Sequence, residues 1–256
     1  MLRRAALAVT FAASMFGCAS GTSGTDDTQE IIDNLIQAGF PKDDIMVVDG
    51  LVYTGRDAQV SLEASREMLI SDPGQEQYRT TNLVSLSLST ICVDGSRLGK
   101  EPFNTALNNA LANYNNENLT FHMVRTSGNQ AGCQALISIK LSGPTGGSSG
   151  FPTGGLPFNS IQIGRGLSSF ATNTVAHVIT HELGHCVGFR HSDFFDRSIS
   201  CGGQPTNEGD AGVGAILIPG TPSGATVGGS VMNSCFRTVE AGVFTSTDKT
   251  ALNALY

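Results

Sequence analysis

Charge is scarce in this sequence, and basic residues are scarcer than acidic ones. Lys, Arg, Asp and Glu make up only 14% of the 256 residues, whereas an ordinary soluble domain has about 25%. The 15 basic residues are set against 22 acidic ones, which gives a formal net charge of −7. Because a protein that binds nucleic acid needs a basic footprint, this balance argues against nucleic acid as a partner.

Long apolar runs and compositional repeats are also missing. No stretch has the roughly 18 to 20 consecutive apolar residues that a membrane-spanning helix requires. Glycine is abundant, at 31 residues, but it follows no Gly-X-Y period, and 40% of the chain is hydrophobic. These features exclude a collagen-like or disordered chain. The sequence therefore predicts a soluble, folded protein with enough residues for one or two domains and a full core.

The first eighteen residues have the pattern of an export signal. Two arginines precede a short apolar run over residues 5–16. A glycine, Cys18 and a Gly/Ser/Thr-rich stretch follow, which resembles a bacterial lipoprotein signal with Cys18 as the lipidated residue. Met15 and Phe16 stand where such signals usually have an aliphatic and a small residue. Cleavage by an ordinary signal peptidase is therefore the alternative.

Either signal predicts an exported protein, anchored by lipid in a bacterial cell envelope or freely secreted. An N-terminal lipid would be its sole contact with a membrane. We divide the chain into a signal peptide over residues 1–18, a flexible tether over 19–28, a small N-terminal unit over 29–80, and a larger domain over 81–256.

Three elements are predicted in the N-terminal unit. Apolar residues at helical spacing predict a first helix that ends at Gly39. Asp49 and Gly50 separate two short apolar runs, which is typical of a tight hairpin. A second helix is predicted over residues 57–70.

The larger domain alternates between strand and helix patterns. Alternating apolar residues predict a strand over 84–88, and Pro102 opens a predicted helix that ends at Asn115. A Gly/Ser/Pro-rich loop is predicted over 143–155. Further short strands are predicted at 119–123, 135–139 and 161–163. This order of elements is typical of a mixed α/β layer.

An odd number of cysteines follows the predicted signal, namely Cys92, Cys133, Cys186, Cys201 and Cys235. In an oxidising compartment the expected outcome is two disulfides and one free thiol, with a pairing that the sequence leaves open. Cys186–Cys201 and Cys201–Cys235 are both candidates for a local bridge. The spacings do not fit a zinc site made of cysteines.

Residues 181–191 carry the pattern HExxHxxGxxH. His181 and His185 are four residues apart, so on a helix their imidazoles project from one face and can bind one zinc ion. Gly188 can take the left-handed conformation that ends a helix, which would bring His191 back as a third ligand. Three neutral imidazoles leave a fourth place for water, as in a catalytic zinc site. Glu182 is close enough to act on that water as a general base.

This pattern, together with a later methionine turn, resembles the metzincin zinc endopeptidases. The run Ser-Val-Met-Asn at 230–233 resembles their Met-turn, in which Met232 would lie beneath the three histidines. The sequence HELGH followed by Cys186, together with the small N-terminal unit, is most similar to the bacterial HEIGH-type metallopeptidases. The resemblance implies an α+β fold for a zinc metallopeptidase domain over 81–256, with a mixed twisted sheet, an active-site helix and a C-terminal subdomain below the cleft.

The resemblance also implies an activity, the hydrolysis of peptide bonds in protein or peptide substrates by one zinc ion and Glu182. It places the edge strand that pairs with extended substrate at residues 161–167. The segment 29–80 is then either a propeptide or a permanent subdomain, and we favour a propeptide because a secreted protease needs latency. No cysteine or aspartate motif of a latency device is recognised in residues 19–80. A monomer is expected.

A function of a different class also fits the sequence, namely an exported zinc-binding lipoprotein that acts as a binding module without turnover. Glu182 favours the enzyme, because a silent site has no need of a general base. His177 is predicted to lie at the surface or to support the site rather than bind the metal, and His122 is predicted to face solvent. The segment 207–210 is predicted to be an acidic loop, with calcium binding as the weaker alternative.

Overall fold

The computed structural model describes residues 23–69, 78–209 and 215–256. The predicted signal peptide, including Cys18, lies outside these residues. The strands are β1 (Met46–Val48), β2 (Leu51–Thr54), β3 (Ala58–Val60), β4 (Tyr78–Arg79), β5 (Thr90–Arg97), β6 (His122–Thr126), β7 (Ala135–Ser142), β8 (Gly147–Gly150), β9 (Ser160–Gly164) and β10 (Ile216–Leu217). The helices are α1 (Ser23–Gln37), α2 (Leu62–Glu67), α3 (Phe103–Asn115), α4 (Thr172–Val187), α5 (Ser198–Cys201) and α6 (Ser246–Leu255).

Eight of the strands form one mixed sheet in the order β1-β2-β3-β8-β9-β7-β5-β6. Strands β6, β5, β7 and β9 are parallel to one another, and β8 pairs with β9 in the antiparallel direction. Strand β3 adds the β1–β2–β3 meander to the other side of β8, running parallel to it. The mixed sheet and the helices confirm the predicted α+β class.

The position of the edge strand was predicted wrongly. Residues 161–163 lie in β9, which is an interior strand because β7 and β8 cover its two sides. The outer strand of the larger domain is β8, inside the segment 143–155 that was predicted to be a loop. Its sequence, Gly-Ser-Ser-Gly, has no apolar alternation, so the periodicity that reveals half-buried strands is absent.

The N-terminal unit follows its prediction in part. Helix α1 and the β1–β2 hairpin are present, and the turn residues Asp49 and Gly50 both have positive φ. Helix α1 already begins at Ser23, within the predicted tether. The predicted helix over 57–70 is instead β3 followed by the short α2, which begins after the N-cap Ser61, because pairing with β2 and β8 fixes residues 58–60 as a strand.

The predicted strand over 84–88 is irregular in the structure. Ser85 donates its backbone N–H to the carbonyl of Gly155, at 2.8 Å, and Leu88 donates to the carbonyl of Ser85, at 3.0 Å, so the chain turns here. The first strand of the larger domain begins at Thr90. Helix α3 confirms the helix predicted from Pro102 to Asn115.

The buried apolar residues of the described part of the chain form two hydrophobic cores. The larger core contains the apolar faces of α3 and α4 and the parallel strands. The smaller core belongs to the N-terminal unit, with Leu35, Phe40, Val52 and Met68 among its members, and it includes Phe151 of the larger domain. The N-terminal unit thus has a core of its own, to which Phe151 of the larger domain contributes, and its strand β3 pairs with β8.

In the part of the chain that the structure describes, two disulfides and one free thiol are present, as the number of cysteines after the predicted signal indicates. Cys92 is joined to Cys133, and Cys201 is joined to Cys235, while Cys186 is free and buried. The Cys201–Cys235 bridge is the second of the two alternatives for a local bridge. Among the described residues, no helix has the length and apolar character needed to cross a membrane.

Candidate metal centre

Helix α4 and the turn after it bring three histidines together. His181 and His185 lie one turn apart on the helix, and their side chains are buried. Gly188 ends the helix with φ 113°, in the left-handed region that favours glycine, and its N–H bonds back to the carbonyl of His185. The reversed chain then places His191 against the helix, so that the three Nε2 atoms lie 3.1, 3.3 and 3.3 Å apart.

Each imidazole is oriented by an acceptor at its other nitrogen. The Nδ1 atom of His181 lies 2.8 Å from the carbonyl oxygen of Val231, and that of His185 lies 2.8 Å from the carbonyl oxygen of Phe189. The Nδ1 atom of His191 lies 2.7 Å from a carboxylate oxygen of Glu208. Acceptors at all three Nδ1 atoms favour protons there, which leaves the Nε2 lone pairs directed at one another.

Three lone pairs at such distances repel one another unless a cation lies between them. Imidazole nitrogens held by backbone and carboxylate acceptors are also the usual ligand set of zinc in proteins. The residues present therefore fit a zinc ion.

A fourth potential ligand comes from the N-terminal unit. Asp57, at the turn between β2 and β3, has a carboxylate oxygen 3.2 Å from Nε2 of His191 and 3.7 Å from Nε2 of His181. Its other oxygen lies 3.8 Å from Nε2 of His185. Asp57 and the three histidines thus form one group whose potential ligand atoms all lie within 4.8 Å of one another.

The protonation of Asp57 is governed by those imidazoles. Burial acts to raise the pKa of its carboxyl group. When the histidines carry protons in place of a metal ion, the charge of His191 and hydrogen bonds from His181 and His191 outweigh burial and hold that pKa well below its ordinary value. Asp57 is therefore an anion at this position. The sequence alone does not reveal this ligand, since nothing in Gly55-Arg56-Asp57 distinguishes the aspartate from a turn residue.

Glu182 lies beside the histidines on α4 and is 2% exposed. The hydroxyl of Ser149, in β8, lies 2.7 Å from Oε2 of Glu182. The carboxyl group also lies against Gly147, where a Cβ atom would overlap with it. Burial raises the pKa of Glu182 well above its ordinary value, and the negative charge of Asp57 raises it further. Strand β8 thus supplies the surface on which this carboxyl group rests.

Glu208 forms a buried ionic cluster behind His191. Its carboxylate accepts from Arg190, at 3.3 Å, and from Arg197, in addition to its contact with His191. Burial acts to raise the pKa of Glu208, but these three groups outweigh burial and lower it to about 2. The acidic loop predicted at 207–210 therefore includes a buried residue that orients a histidine of the centre, while Asp210 lies outside the described residues.

The predicted Met-turn lies against α4, the helix that carries His181 and His185. A Cβ atom at Gly184 would be 2.5 Å from the sulfur of Met232, so the turn approaches α4 at the one place where a glycine leaves room. Asp248, in the first turn of α6, accepts hydrogen bonds from the Ser230 hydroxyl, at 2.5 Å, and from the Val231 N–H, at 3.0 Å. Helix α6 thereby fixes the turn that carries Met232 and the acceptor for His181.

A cleft of about 290 Å³ opens beside the centre. It extends from Asp57 past Glu182 and Val178 to Phe236. His177 lies in its wall, is buried, and has Nδ1 3.1 Å from a carboxylate oxygen of Glu240. Burial lowers the pKa of His177 to about 4 even though Glu240 acts to raise it. His177 therefore lies next to the centre as a neutral residue and outside the set of converging nitrogens.

The structure thus brings into one site His181, Glu182, His185 and His191, which the sequence pattern predicts, and Met232, which the family resemblance implies. His122 is exposed, as predicted. Cys18 lies outside the described residues. The residues that the sequence did not reveal are those whose partners are distant along the chain: Asp57, Ser149, Arg190, Arg197 and Glu208.

Comparison with known proteins gives a family match and a distant likeness in structure. A family model described as a dual-action HEIGH metallo-peptidase matches residues 52–256. Among solved structures, myroilysin has a TM-score of 0.41 and 14% identity, covering 68% of this chain and 95% of its own. High choriolytic enzyme 1, a hatching-enzyme zinc protease of the medaka fish Oryzias latipes, has a TM-score of 0.36 and 15% identity, covering 66% of this chain and 88% of its own. No curated protein sequence matches this chain.

Proposed function

Because the chain belongs to the dual-action HEIGH metallopeptidase family, we propose that it is an exported zinc endopeptidase in which Glu182 activates the attacking water. The family makes the chain a metallopeptidase. The proposal adds the metal, the ligands, the base and the compartment. In it, His181, His185 and His191 would hold one zinc ion, and Met232 would form the apolar floor beneath them.

The observation that carries the proposal is the convergence of three buried Nε2 atoms whose Nδ1 atoms all face acceptors. Zinc, when bound by such a set, lowers the pKa of a coordinated water and polarises the scissile carbonyl. Packing of the core alone would not require three histidines whose Nε2 lone pairs converge on one point beside a cleft. The adjacent Glu182 gives this point a proton acceptor.

Glu182 would transfer one proton from the attacking water to the leaving amine. Its carboxylate would take a proton from water as the water oxygen attacks the carbonyl carbon of the substrate. It would then give that proton to the leaving amine as the carbon–nitrogen bond breaks, so that the products are a new carboxyl and a new amino terminus. The Ser149 hydroxyl, 2.7 Å from Oε2, would keep the carboxylate on the side of the cleft.

Strand β8 and the cleft would position the substrate. As the outer strand of the larger domain, β8 would offer to an extended peptide the backbone groups that β3 pairs with in this structure. Pairing along a sheet edge is the usual way in which a segment is bound without strict sequence preference. The cleft between Val178 and Phe236 would receive one substrate side chain. Apolar and aromatic walls of this kind favour an apolar side chain at that position.

The second candidate is the binding module without turnover. Asp57 lies against the three histidines, where its carboxylate would take the coordination position of the water. This position favours the binding module. Glu182 argues for the enzyme, because its buried carboxyl group rests on Ser149 and Gly147 beside the histidines, where a base is needed. Export, and the removal of residues 29–80 as a propeptide, belong to the proposal on the evidence of the sequence alone.

The proposed function is tested by hydrolysis of an unfolded protein. The chain from Asp26 is loaded with one zinc ion, both with Asp57 and with Asp57→Ala, and each form is compared with its Glu182→Gln variant at matched zinc content. We expect hydrolysis in at least one form, and a loss of about 100- to 10,000-fold with Glu182→Gln. Equal hydrolysis with and without Glu182 contradicts the proposed base. Zinc binding without hydrolysis in either form favours the binding module.

A further inference from the structure

We propose that Asp57 is the fourth ligand of the metal, and that the N-terminal unit is an inhibitory segment which blocks the site of the same chain. This inference rests on the proposed function, since it concerns the regulation of that site. It assigns this role to an aspartate of residues 19–80, a segment in which the sequence shows no motif of a latency device. Three independent features of the structure support it.

The first feature is the position of the Asp57 carboxylate. Its two oxygens lie 3.2 to 3.8 Å from all three Nε2 atoms, on the side of the histidines that faces the cleft. The Asp57 side chain is 16% exposed, so the carboxylate has lost most of its water. An anion with so few other partners needs the cation that the histidines would hold. Bound to the metal at this position, the Asp57 carboxylate would exclude the water that hydrolysis requires.

The second feature is the pairing of β3 with β8. Residues 58 and 59 pair with Ser149 and Gly150, and the N–H of Ser149 donates to the carbonyl of Asp57 at 3.0 Å. At Gly150 a Cβ atom would overlap with the carbonyl of Gln59, so the two strands approach closely only because this residue is a glycine. The outer backbone groups of β8, on which an extended substrate would bind, are therefore occupied by the chain itself.

The third feature is a set of contacts that hold the turn carrying Asp57. The guanidinium of Arg197 donates to the carbonyl of Gly55 at 2.6 Å and also binds Glu208 behind His191. The guanidinium of Arg190 lies 4.6 Å from the ring centre of Phe40, in the core of the N-terminal unit. Two arginines of the larger domain thus hold the unit by its backbone and by an aromatic ring.

Together these features describe a segment that occupies the metal, the substrate strand and the neighbouring surface at once. Turnover then requires the turn between β2 and β3 to leave the histidines. If about 1% of the chains are open at any time, the apparent activity and the apparent affinity for an active-site ligand fall about 100-fold. Removing the Asp57 carboxylate should recover part of that loss while the fold is kept.

The test compares the full chain with Asp57→Ala and with Asp43→Ala, a control that removes an exposed carboxylate from the same unit. Cobalt(II) in place of zinc reports the ligands directly through its absorption spectrum. Acetohydroxamate, which binds metal through two oxygens, is titrated by calorimetry to measure access to the open position. Hydrolysis of an unfolded protein is measured in the same zinc-loaded samples.

We expect Asp57→Ala to change the cobalt spectrum, to tighten acetohydroxamate binding about 10- to 100-fold, and to raise hydrolysis by a similar factor. Asp43→Ala should leave all three as they are. A changed spectrum and tighter binding without hydrolysis support the inhibitory ligand and contradict the proposed protease. An unchanged spectrum and unchanged binding in Asp57→Ala overturn the inference, whatever activity the unaltered chain has.

Discussion

Glu208 determines how firmly one histidine of the centre is held. Its carboxylate is 1% exposed and lies between His191 and two guanidinium groups. A carboxylate on the far nitrogen of a metal-binding imidazole fixes the ring and raises its basicity as a ligand. His191 and the two arginines outweigh burial and keep that carboxylate ionised, so the cluster presents His191 in the orientation that a metal needs.

Replacement of Glu208 by glutamine tests this role. We expect Glu208→Gln to weaken zinc binding about 10- to 100-fold, since His191 loses its anionic acceptor. Competition with a chromophoric chelator measures the affinity. Loss of the negative charge beside two buried arginines also lowers stability. Circular dichroism and thermal unfolding therefore check whether the variant is folded.

The exposed Glu63, replaced by glutamine, is the matched control and should keep the zinc affinity of the unaltered chain. Zinc affinity unchanged in a folded Glu208→Gln variant would contradict the role assigned to Glu208.

The residues of the centre divide by how far along the chain their partners lie. His181, Glu182 and His185 follow from the period of a helix, and His191 follows from a glycine that ends it, so local sequence is enough to predict them. Asp57 reaches the same point across more than a hundred residues, and its place depends on the pairing of β3 with β8. No local pattern encodes such a contact, because it is made only when the sheet is complete.

At the scale of elements, the closest approach in the site is that between α4 and the Met-turn. Gly184 leaves room for the sulfur of Met232, and the capped start of α6 holds the turn in place through Asp248. Helix and turn are therefore packed against each other at a point where a single methyl group is too large.

We expect Gly184→Ala to lower the free energy of unfolding by about 1–3 kcal/mol, because the methyl group forces Met232 to move inside a packed core. Urea unfolding followed by circular dichroism measures this change. In the double variant with Met232→Ala the methyl group meets no sulfur, so the cost of the pair should be smaller than the sum of the single costs. If the changes in unfolding free energy of the two single variants add up to that of the double variant, the two residues do not contact each other in this way.

The elements also show where periodicity is informative. Helix α3 and the Asp49–Gly50 hairpin were predicted correctly, because an apolar face and a two-residue turn are local properties. Strand β8 was missed and β9 was given its place at the edge, since Gly-Ser-Ser-Gly resembles a loop and becomes a strand only between two neighbours. Strand order is decided by such neighbours, and sequence alone gives little information about it.

At the scale of the whole molecule, the candidate metal centre contains residues of both the N-terminal unit and the larger domain, each of which has a hydrophobic core. Asp57 comes from the N-terminal unit, and the three histidines come from the larger domain. A metal bound by all four residues would tie the two parts together, so its removal should loosen the N-terminal unit more than the rest of the chain.

Hydrogen exchange followed by mass spectrometry measures this difference. We expect a zinc chelator to speed exchange in residues 46–60 about 10-fold or more, while exchange in α3 changes little, because only the former depend on the bond to Asp57. In the Asp57→Ala variant, the chelator should no longer speed exchange in residues 46–60 more than in α3. A uniform change over both regions would show that the metal stabilises the fold as a whole and does not hold the N-terminal unit.

The shared guanidinium of Arg197 has one more consequence, which concerns the supply of zinc. This side chain binds the carboxylate behind His191 and the backbone of the turn that carries Asp57, so uptake of the ion and docking of the turn strengthen each other by the same factor. The blocked chain would then be the form that retains its ion longest, and release of the turn would begin a period of faster exchange with the surroundings. Under the proposed regulation, the chain would acquire its ion before it becomes active, and the active form would keep its activity only while the surroundings supply zinc.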